Sequence, residues 1–275
     1  MIKEKIIVFI PMYNCESQIS RVLARFDESA CSIFDEILIV DNGSTDDSLR
    51  SAKLAAKKHE NIKITIVQNV ENYNLGGSHK VAFNYALEYS YDFIVVIHGD
   101  DQGDINDLVP LILEGKHREW DCMLGSRFMK CSKLIGYSRF RIFGNWGINL
   151  LGSIICRRML YDLGAGLNVY NMKMLENKFY LKFPNGLTFN YYMTFYTVGI
   201  KASFKYFPLT WREEDQISNL NMMNHFKEWL IVLKDYLFNF NDFLDENRCH
   251  VQKYKYKKIY TNENDIVDPI NETVG

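Results

Sequence analysis

Two adjacent acids, Asp100 and Asp101, follow an apolar run in the segment His98-Gly99-Asp100-Asp101-Gln102. Side by side at a strand end they would repel unless solvated or bound to a cation. Hard oxygen ligands of this kind suit Mg²⁺ or Mn²⁺ bridging a diphosphate. A metal there would neutralise the charge that develops on a departing nucleoside diphosphate. The plainer alternative is a solvated acidic turn capping the next helix, and for an isolated pair it would be preferred. A second acid in register, in Val40-Asp41-Asn42-Gly43-Ser44, reverses that preference. Asp41 can accept hydrogen bonds from the base or ribose of a nucleotide lying over the strand ends, while Gly43 supplies backbone freedom for the turn. An Asx-turn capping the following helix is the alternative for Asp41. The patterns GxxxxGK(S/T) and GxGxxG are both absent, which weighs against ATPase and dehydrogenase chemistry.

The elements that must position these acids are legible as alternating patterns. Apolar β-branched runs at 5–10, 36–40, 63–68 and 93–97 read as strands, separated by helical patterns near 16–26, 47–58 and 78–89. Such βαβ alternation predicts an α/β fold with a mostly parallel sheet. The loops PMYN, DNGSTD, NYNLGG and HGDDQGD then lie at the carboxyl edge, where ligands bind in open sheets. Downstream come a helix over 107–116, a short strand over 121–124 and the turn Gly125-Ser126-Arg127. A long apolar segment, 140–160, follows between Arg139 and Arg141 on one side and Arg157 and Arg158 on the other. After Trp211 the chain reads as helical through Phe240 and ends in a polar tail containing KYKYKK, expected to be loosely held.

With 275 residues, 47% hydrophobic and 24% charged, the chain has the composition of a globular protein, which excludes disorder, collagen and coiled coil as its main character. Its net charge of −2 gives no reason to expect a nucleic-acid partner. That sum conceals a partition: residues 126–161 hold no acid, while Arg127, Lys130, Lys133, Arg139, Arg141, Arg157 and Arg158 give a local +7. Six cysteines without a CxxC pair read as reduced structural thiols. The N-terminal apolar run is too short for a signal peptide, so a cytoplasmic protein is expected. The longest uncharged apolar stretch, 142–156, is 15 residues, short of the roughly 20 that a spanning helix needs. Phe140, Phe143, Trp146, Leu150, Leu151, Ile154 and Ile155 mark one helical face. That face would lie in a membrane interface with the arginines on headgroups, or pack on the sheet as core. Lys80 is expected to be solvated, with contact to a phosphate as the alternative.

The ordered series PMYN, IVDNGSTD, NLGG, HGDDQ and LGSR resembles the family 2 inverting glycosyltransferases of GT-A fold, most of all their polyprenyl-phosphate (dolichol-phosphate mannose synthase-like) branch, over residues 5–218. The resemblance implies a GT-A, Rossmann-like mixed sheet, mostly parallel and flanked by helices, with a helical C-terminal extension. It places a glycosyltransferase domain at 1–217 and the extension with its polar tail at 218–275. It implies that Pro11, Tyr13, Asn14 and Asp41 hold the nucleoside, and that Gly76, Asp101 and Arg212 also contact the nucleotide sugar. Asp100 and Gln102 become the ligands of Mg²⁺ or Mn²⁺, with His98 standing where the first acid of the DxD-like motif usually stands. Arg127, with Arg139 and Arg141, would face an acceptor phosphate. Residues 162–167, DLGAGL, resemble a DxxSGF segment, with Asn168 where a basic residue commonly follows. Trp211-Arg212 followed by Ser218-Asn219 resembles an RxxGxS loop, with longer spacing and no glycine. Asp100, Arg127 and Asp162 are the expected catalytic residues.

The acceptor follows from proton bookkeeping. A sugar hydroxyl must lose a proton as it attacks, whereas a phosphate monoester is already anionic and needs no base. The stretch 187–192, where sugar-accepting relatives offer an acid, has none, which leaves Asp162, with Glu213, Glu214 and Asp215 as outsiders. The expectation is therefore transfer from a nucleotide-sugar donor to a polyprenyl phosphate in bacterial-type cell-surface glycan synthesis, by a protein peripheral on the cytoplasmic face of a membrane. The alternatives are transfer to a glycan hydroxyl with Asp162 as base, and a catalytically inactive nucleotide-sugar-binding protein. A sugar-nucleotide pyrophosphorylase would want a glycine-rich basic loop after the first strand, and PMYNCES is not one.

Overall fold

The computed structural model describes residues 3–215, 222–251, 253–263 and 271–274. In its first half, strand and helix alternate: β1 (Ile6–Met12), α1 (Ile19–Ala24), α2 (Glu28–Ile33), β2 (Glu36–Asp41), α3 (Ser48–Ala56), β3 (Lys63–Asn69), α4 (Asn74–Glu88) and β4 (Phe93–Ile97). Then follow α5 (Val109–Leu113), β5 (Cys122–Ser126), β6 (Lys133–Ile135), α6 (Arg139–Cys156), β7 (Leu167–Asn171), α7 (Met172–Leu175), α8 (Phe189–Gly199), β8 (Phe204–Pro208) and β9 (Thr210–Arg212). The last described elements are α9 (Met222–Phe238), α10 (Phe240–Asp245), β10 (Tyr254–Thr261) and β11 (Asn271–Val274).

Nine of these strands form one sheet in the order β11-β10-β3-β2-β1-β4-β7-β5-β8. The run β3-β2-β1-β4 is parallel, β7 lies antiparallel between β4 and β5, and β8 is parallel to β5. Strands β1, β2 and β4 are buried along their whole length, as in a sheet covered on both faces. Alternate residues feed two cores. Ile7, Phe9, Leu38 and Val40 pack with α4 and α8, while Ile6, Val8, Ile37 and Ile39 pack with α1, α2 and α3.

The four early strands match the sequence pattern to within two residues, but the helices depart from it. The helix expected over 16–26 is the shorter α1, and a helix that the pattern did not announce, α2, follows it because Asp27 accepts the Ala30 N–H and caps it. Helix α4 starts at Asn74, four residues before the expected 78, and takes both glycines of NLGG into its first turn. The helix expected over 107–116 is a 3₁₀ turn followed by the five-residue α5.

The KYKYKK tail, expected to be loosely held, is instead β10, paired antiparallel with β3. Tyr254 and Tyr256 are 1% and 0% exposed, while the lysine between them is exposed. The alternation of Tyr and Lys is a half-buried strand pattern that the high charge concealed. The boundary expected at 217/218 falls outside the described residues. Lys80, expected in solvent, is fully buried, and Leu181 O, Phe183 O, Asn185 Oδ1 and Tyr254 OH lie within hydrogen-bond reach of the three N–H groups of its ammonium, tying α4 to the 181–185 loop and β10.

The apolar stripe of α6 faces outward. Phe140 is 74% and Leu150 63% exposed, and Phe143, Trp146, Leu151 and Ile154 are exposed beside them. Only Asn149 and Gly152 of this helix are buried, so the core reading of the whole stripe does not hold. Among the described residues, no helix is long and apolar enough to cross a membrane.

Candidate active site

The carboxyl ends of β1, β2 and β4 bring the predicted loops together. Pro11 is buried, and its carbonyl accepts the Gly99 N–H at 3.0 Å, joining β1 to the acidic turn after β4. Tyr13 projects from the edge, 48% exposed. Asn14, with φ of 52°, accepts the Thr45 N–H on its side chain and donates its own N–H to Ser44 Oγ, so the PMYN and DNGS loops are one structure. Asp41 is fully buried. It accepts the Ser44 N–H and, at 2.8 Å, the amide of Gln68, its half-buried register partner on β3. Asp41 thus holds Gln68, which is itself only half-buried at this edge, beside the exposed Tyr13. Sequence reasoning missed Gln68, although its place at a strand tip next to DNGS is a usable signal.

Gly76, expected to touch the nucleotide sugar, lies under the 184–189 segment instead. A Cβ there would come within 2.8 Å of Phe189 Cβ and Pro184 O, and the Gly76 N–H donates to Asn185 O. The glycine serves the close approach of these two segments.

The two acids of HGDDQ diverge. Asp101 has φ of 62°, and its carboxylate is buried against Arg21 and Arg25 of the α1 region. It is therefore engaged by two protein cations, partners that the spacing of the motif did not announce. Asp100 stays half-buried at the site and accepts the Gln102 N–H at 3.3 Å. Burial raises its pKa against the opposing pull of His98 and backbone N–H groups, and Asp101 adds to the rise. His98 is seated by Gly166, where a Cβ would come within 2.9 Å of the ring. Its Nε2 is buried with no hydrogen-bond partner among the described residues. Burial lowers its pKa, Asp100 pulls it back, Arg127 lowers it again, and the net shift is downward.

Arg212 donates to Asp104 at 3.0 Å and its backbone N–H to Gln102 O at 2.9 Å, which anchors β9 on the acidic turn. Its Nη1 is buried without an acceptor among the described residues, an orphan charged donor beside the turn. For Asp104, burial would raise the pKa, but the Asn106 N–H, Arg25 and Arg212 outweigh it and the carboxylate is held below its usual range. Ser218 and Asn219, the rest of the predicted diphosphate loop, lie outside the described residues.

The three predicted acceptor arginines separate. Arg127 is buried and gives two parallel 2.8 Å bonds to Asp162, while the rings of Phe128, Tyr137 and Trp211 lie around its guanidinium. Burial opposes its charge, yet Asp162 outweighs burial and raises its pKa. Both Asp162 oxygens are taken, Oδ1 also accepting the Gly164 N–H, so this carboxylate is poorly placed to act as a base. Arg141 pairs with Glu213, and Arg139 is exposed at the start of α6. Asp215 is held by Arg21.

A divalent cation fits Asp100 and Gln102, one carboxylate and one amide, if ligand phosphates and water complete its shell. Among the described residues no three His, Cys, Asp or Glu side chains cluster to hold a metal unaided.

Solved structures share this architecture. Glucosyl-3-phosphoglycerate synthase from Mycobacterium tuberculosis, in complex with Mn²⁺, uridine diphosphate and glucosyl-3-phosphoglycerate, superposes with a TM-score of 0.57 at 16% identity, over 86% of this chain and 80% of that one. S. aureus TarS in complex with UDP-GlcNAc gives 0.56 at 18% identity, over 84% and 66%. The fold is thus that of the GT-A glycosyltransferases, with its loops gathered at the nucleotide edge of the sheet. The chain belongs to glycosyl transferase family 2, whose family model matches residues 7–179. Similar curated proteins include the undecaprenyl-phosphate mannosyltransferase of Micrococcus luteus, 25% identical over 77% of this chain and 85% of that protein. The dodecaprenyl-phosphate galacturonate synthase of Rhizobium johnstonii is also 25% identical, over 61% of this chain and 48% of that protein.

Proposed function

We propose that the protein transfers a sugar, with inversion, from a nucleotide-sugar donor to a polyprenyl phosphate at the cytoplasmic face of a membrane. The observation that carries this reading is the Arg127–Asp162 pair, which engages the one well-placed candidate base on both oxygens. A phosphate oxygen attacks without surrendering a proton, so its transferase needs positioning and charge stabilisation instead. The relatives named for polyprenyl-phosphate acceptors support the same choice.

In this reading Tyr13, Asn14 and Gln68 bind the nucleoside over the ends of β1 to β3, with Asp41 orienting Gln68. The Nη1 of Arg212, buried without an acceptor among the described residues, takes a diphosphate oxygen. Asp100 and Gln102 hold Mg²⁺ or Mn²⁺, which neutralises the departing diphosphate when bound. Arg139 meets the acceptor phosphate at the start of α6. The exposed face of α6 lies in the interface, with Arg139, Arg157 and Arg158 at headgroup level.

The test is incubation with radiolabelled nucleotide sugars, Mn²⁺ and undecaprenyl phosphate, followed by organic extraction. Label in the organic phase is expected. Label passing only to a water-soluble glycan would overturn the acceptor assignment.

A further inference from the structure

We propose that His98 is a metal-binding residue that turns this site toward Mn²⁺ or a later first-row ion and away from Mg²⁺, an inference that rests on the metal reading of Asp100 and Gln102. Three observations converge on the imidazole. It stands on the strand-end turn two residues before Asp100. Gly166 leaves its ring a seat that any Cβ would close, with contacts of 2.9 Å to Cγ and Nδ1. The ring's far nitrogen, Nε2, is buried and has no hydrogen-bond partner among the described residues.

A buried nitrogen without a partner calls for a ligand, because nearly all buried polar groups in folded proteins are satisfied. His98 adds a nitrogen to a donor set otherwise made of one carboxylate and one amide oxygen. Affinity for a nitrogen-bearing donor set rises from Mn²⁺, the weakest of the first-row divalent ions, through the metals after it, whereas Mg²⁺ prefers oxygen and water. An acid at position 98 would give an all-oxygen set suited to Mg²⁺. The imidazole makes the pocket a mixed nitrogen and oxygen site, and the metal preference follows from the donor atoms.

The experiment is pulsed electron paramagnetic resonance on the full chain loaded with Mn²⁺, with UDP and separately with GDP, together with Mn²⁺ and Mg²⁺ affinities by calorimetry. The wild-type complex is expected to show the ¹⁴N modulation of a directly bound imidazole. His98→Asp and His98→Gln should lose it while still binding Mn²⁺, and His98→Asp should lower the Mn²⁺ to Mg²⁺ affinity ratio by roughly tenfold or more. Thermal melts of both variants verify that each is folded. Bound Mn²⁺ that needs Asp100 but shows no nitrogen modulation, or an unchanged affinity ratio, overturns the role of His98 and leaves the metal reading standing. Failure of Mn²⁺ to bind wild type and His98→Asp alike, with either nucleotide, overturns both.

Discussion

Arg127 and Asp162 face each other through two parallel 2.8 Å hydrogen bonds, and the Arg127 backbone N–H adds a third to the same carboxylate at 2.9 Å. The pair ties the end of β5 to the segment leading into β7. Both side chains are buried, so each charge depends on the other for its solvation.

Removing one partner should therefore register first as lost stability. Asp162→Ala leaves a buried guanidinium without its anion and is expected to cost about 3–5 kcal/mol in denaturant unfolding. If Asp162 were instead a catalytic base, Asp162→Asn would abolish turnover in a fully folded, normally stable protein. The expected result is an Asp162→Asn variant whose activity falls in step with its folded fraction.

The divergence of Asp100 and Asp101 predicts opposite phenotypes for neighbouring alanine variants. Asp101→Ala leaves Arg21 only Asp215 and Arg25 only Asp104 as ion-pair partners and should lower the melting temperature, yet retain the rise of several degrees produced by Mn²⁺ with a binding nucleoside diphosphate. Asp100→Ala should keep most of the stability and lose that ligand-induced rise. Differential scanning fluorimetry with and without ligand reads both outcomes, and equal loss of the ligand response in the two variants would contradict the assignment.

On α6, Phe143 and Trp146 touch edge to face in solvent, at a ring separation of 5.8 Å. Phe143→Glu with Trp146→Glu should alter folding stability by only about 0.5 kcal/mol per site, as surface changes do. Cosedimentation with vesicles containing anionic phospholipid should fall roughly tenfold or more, since two large apolar side chains no longer enter the interface. Unchanged cosedimentation would remove α6 from the membrane contact.

His79 supplies a pH signature. It is buried in α4, its Nδ1 lies 2.9 Å from Leu75 O, and burial pushes its pKa down to about 3 from the ordinary histidine value of about 6.5. The unfolded chain therefore takes up a proton that the folded chain refuses. Stability is full above pH 6.5 and is lost as pH falls toward 3, by about 2 kcal/mol at pH 5 from this residue. Comparing denaturation of wild type and His79→Gln between pH 7 and 4.5 isolates the effect. The variant should show the shallower decline, and parallel curves would refute the assignment.

Much of the fold was legible in short-range pattern. Runs such as Ile6 to Ile10 and Phe93 to Ile97 are too apolar for anything but buried strands, and the turns at their ends had to reach the same sheet edge. Position along the chain did not reveal which neighbours those turns would meet. NLGG reads as a ligand loop, yet Gly76 lies under Phe189, and the charged tail of Tyr254 and Tyr256 buries its rings beside β3.

The sequence by itself determined the first four strands, their alternation with helices and the chemical types gathered at the carboxyl edge, because hydrophobic periodicity and turn chemistry act over a few residues. Only the tertiary structure decided which charges were already taken. Asp101 meets Arg21 across 80 positions and Arg127 meets Asp162 across 35. Charge pairing depends on distance in space and on burial, and neither is written in the spacing of residues along the chain.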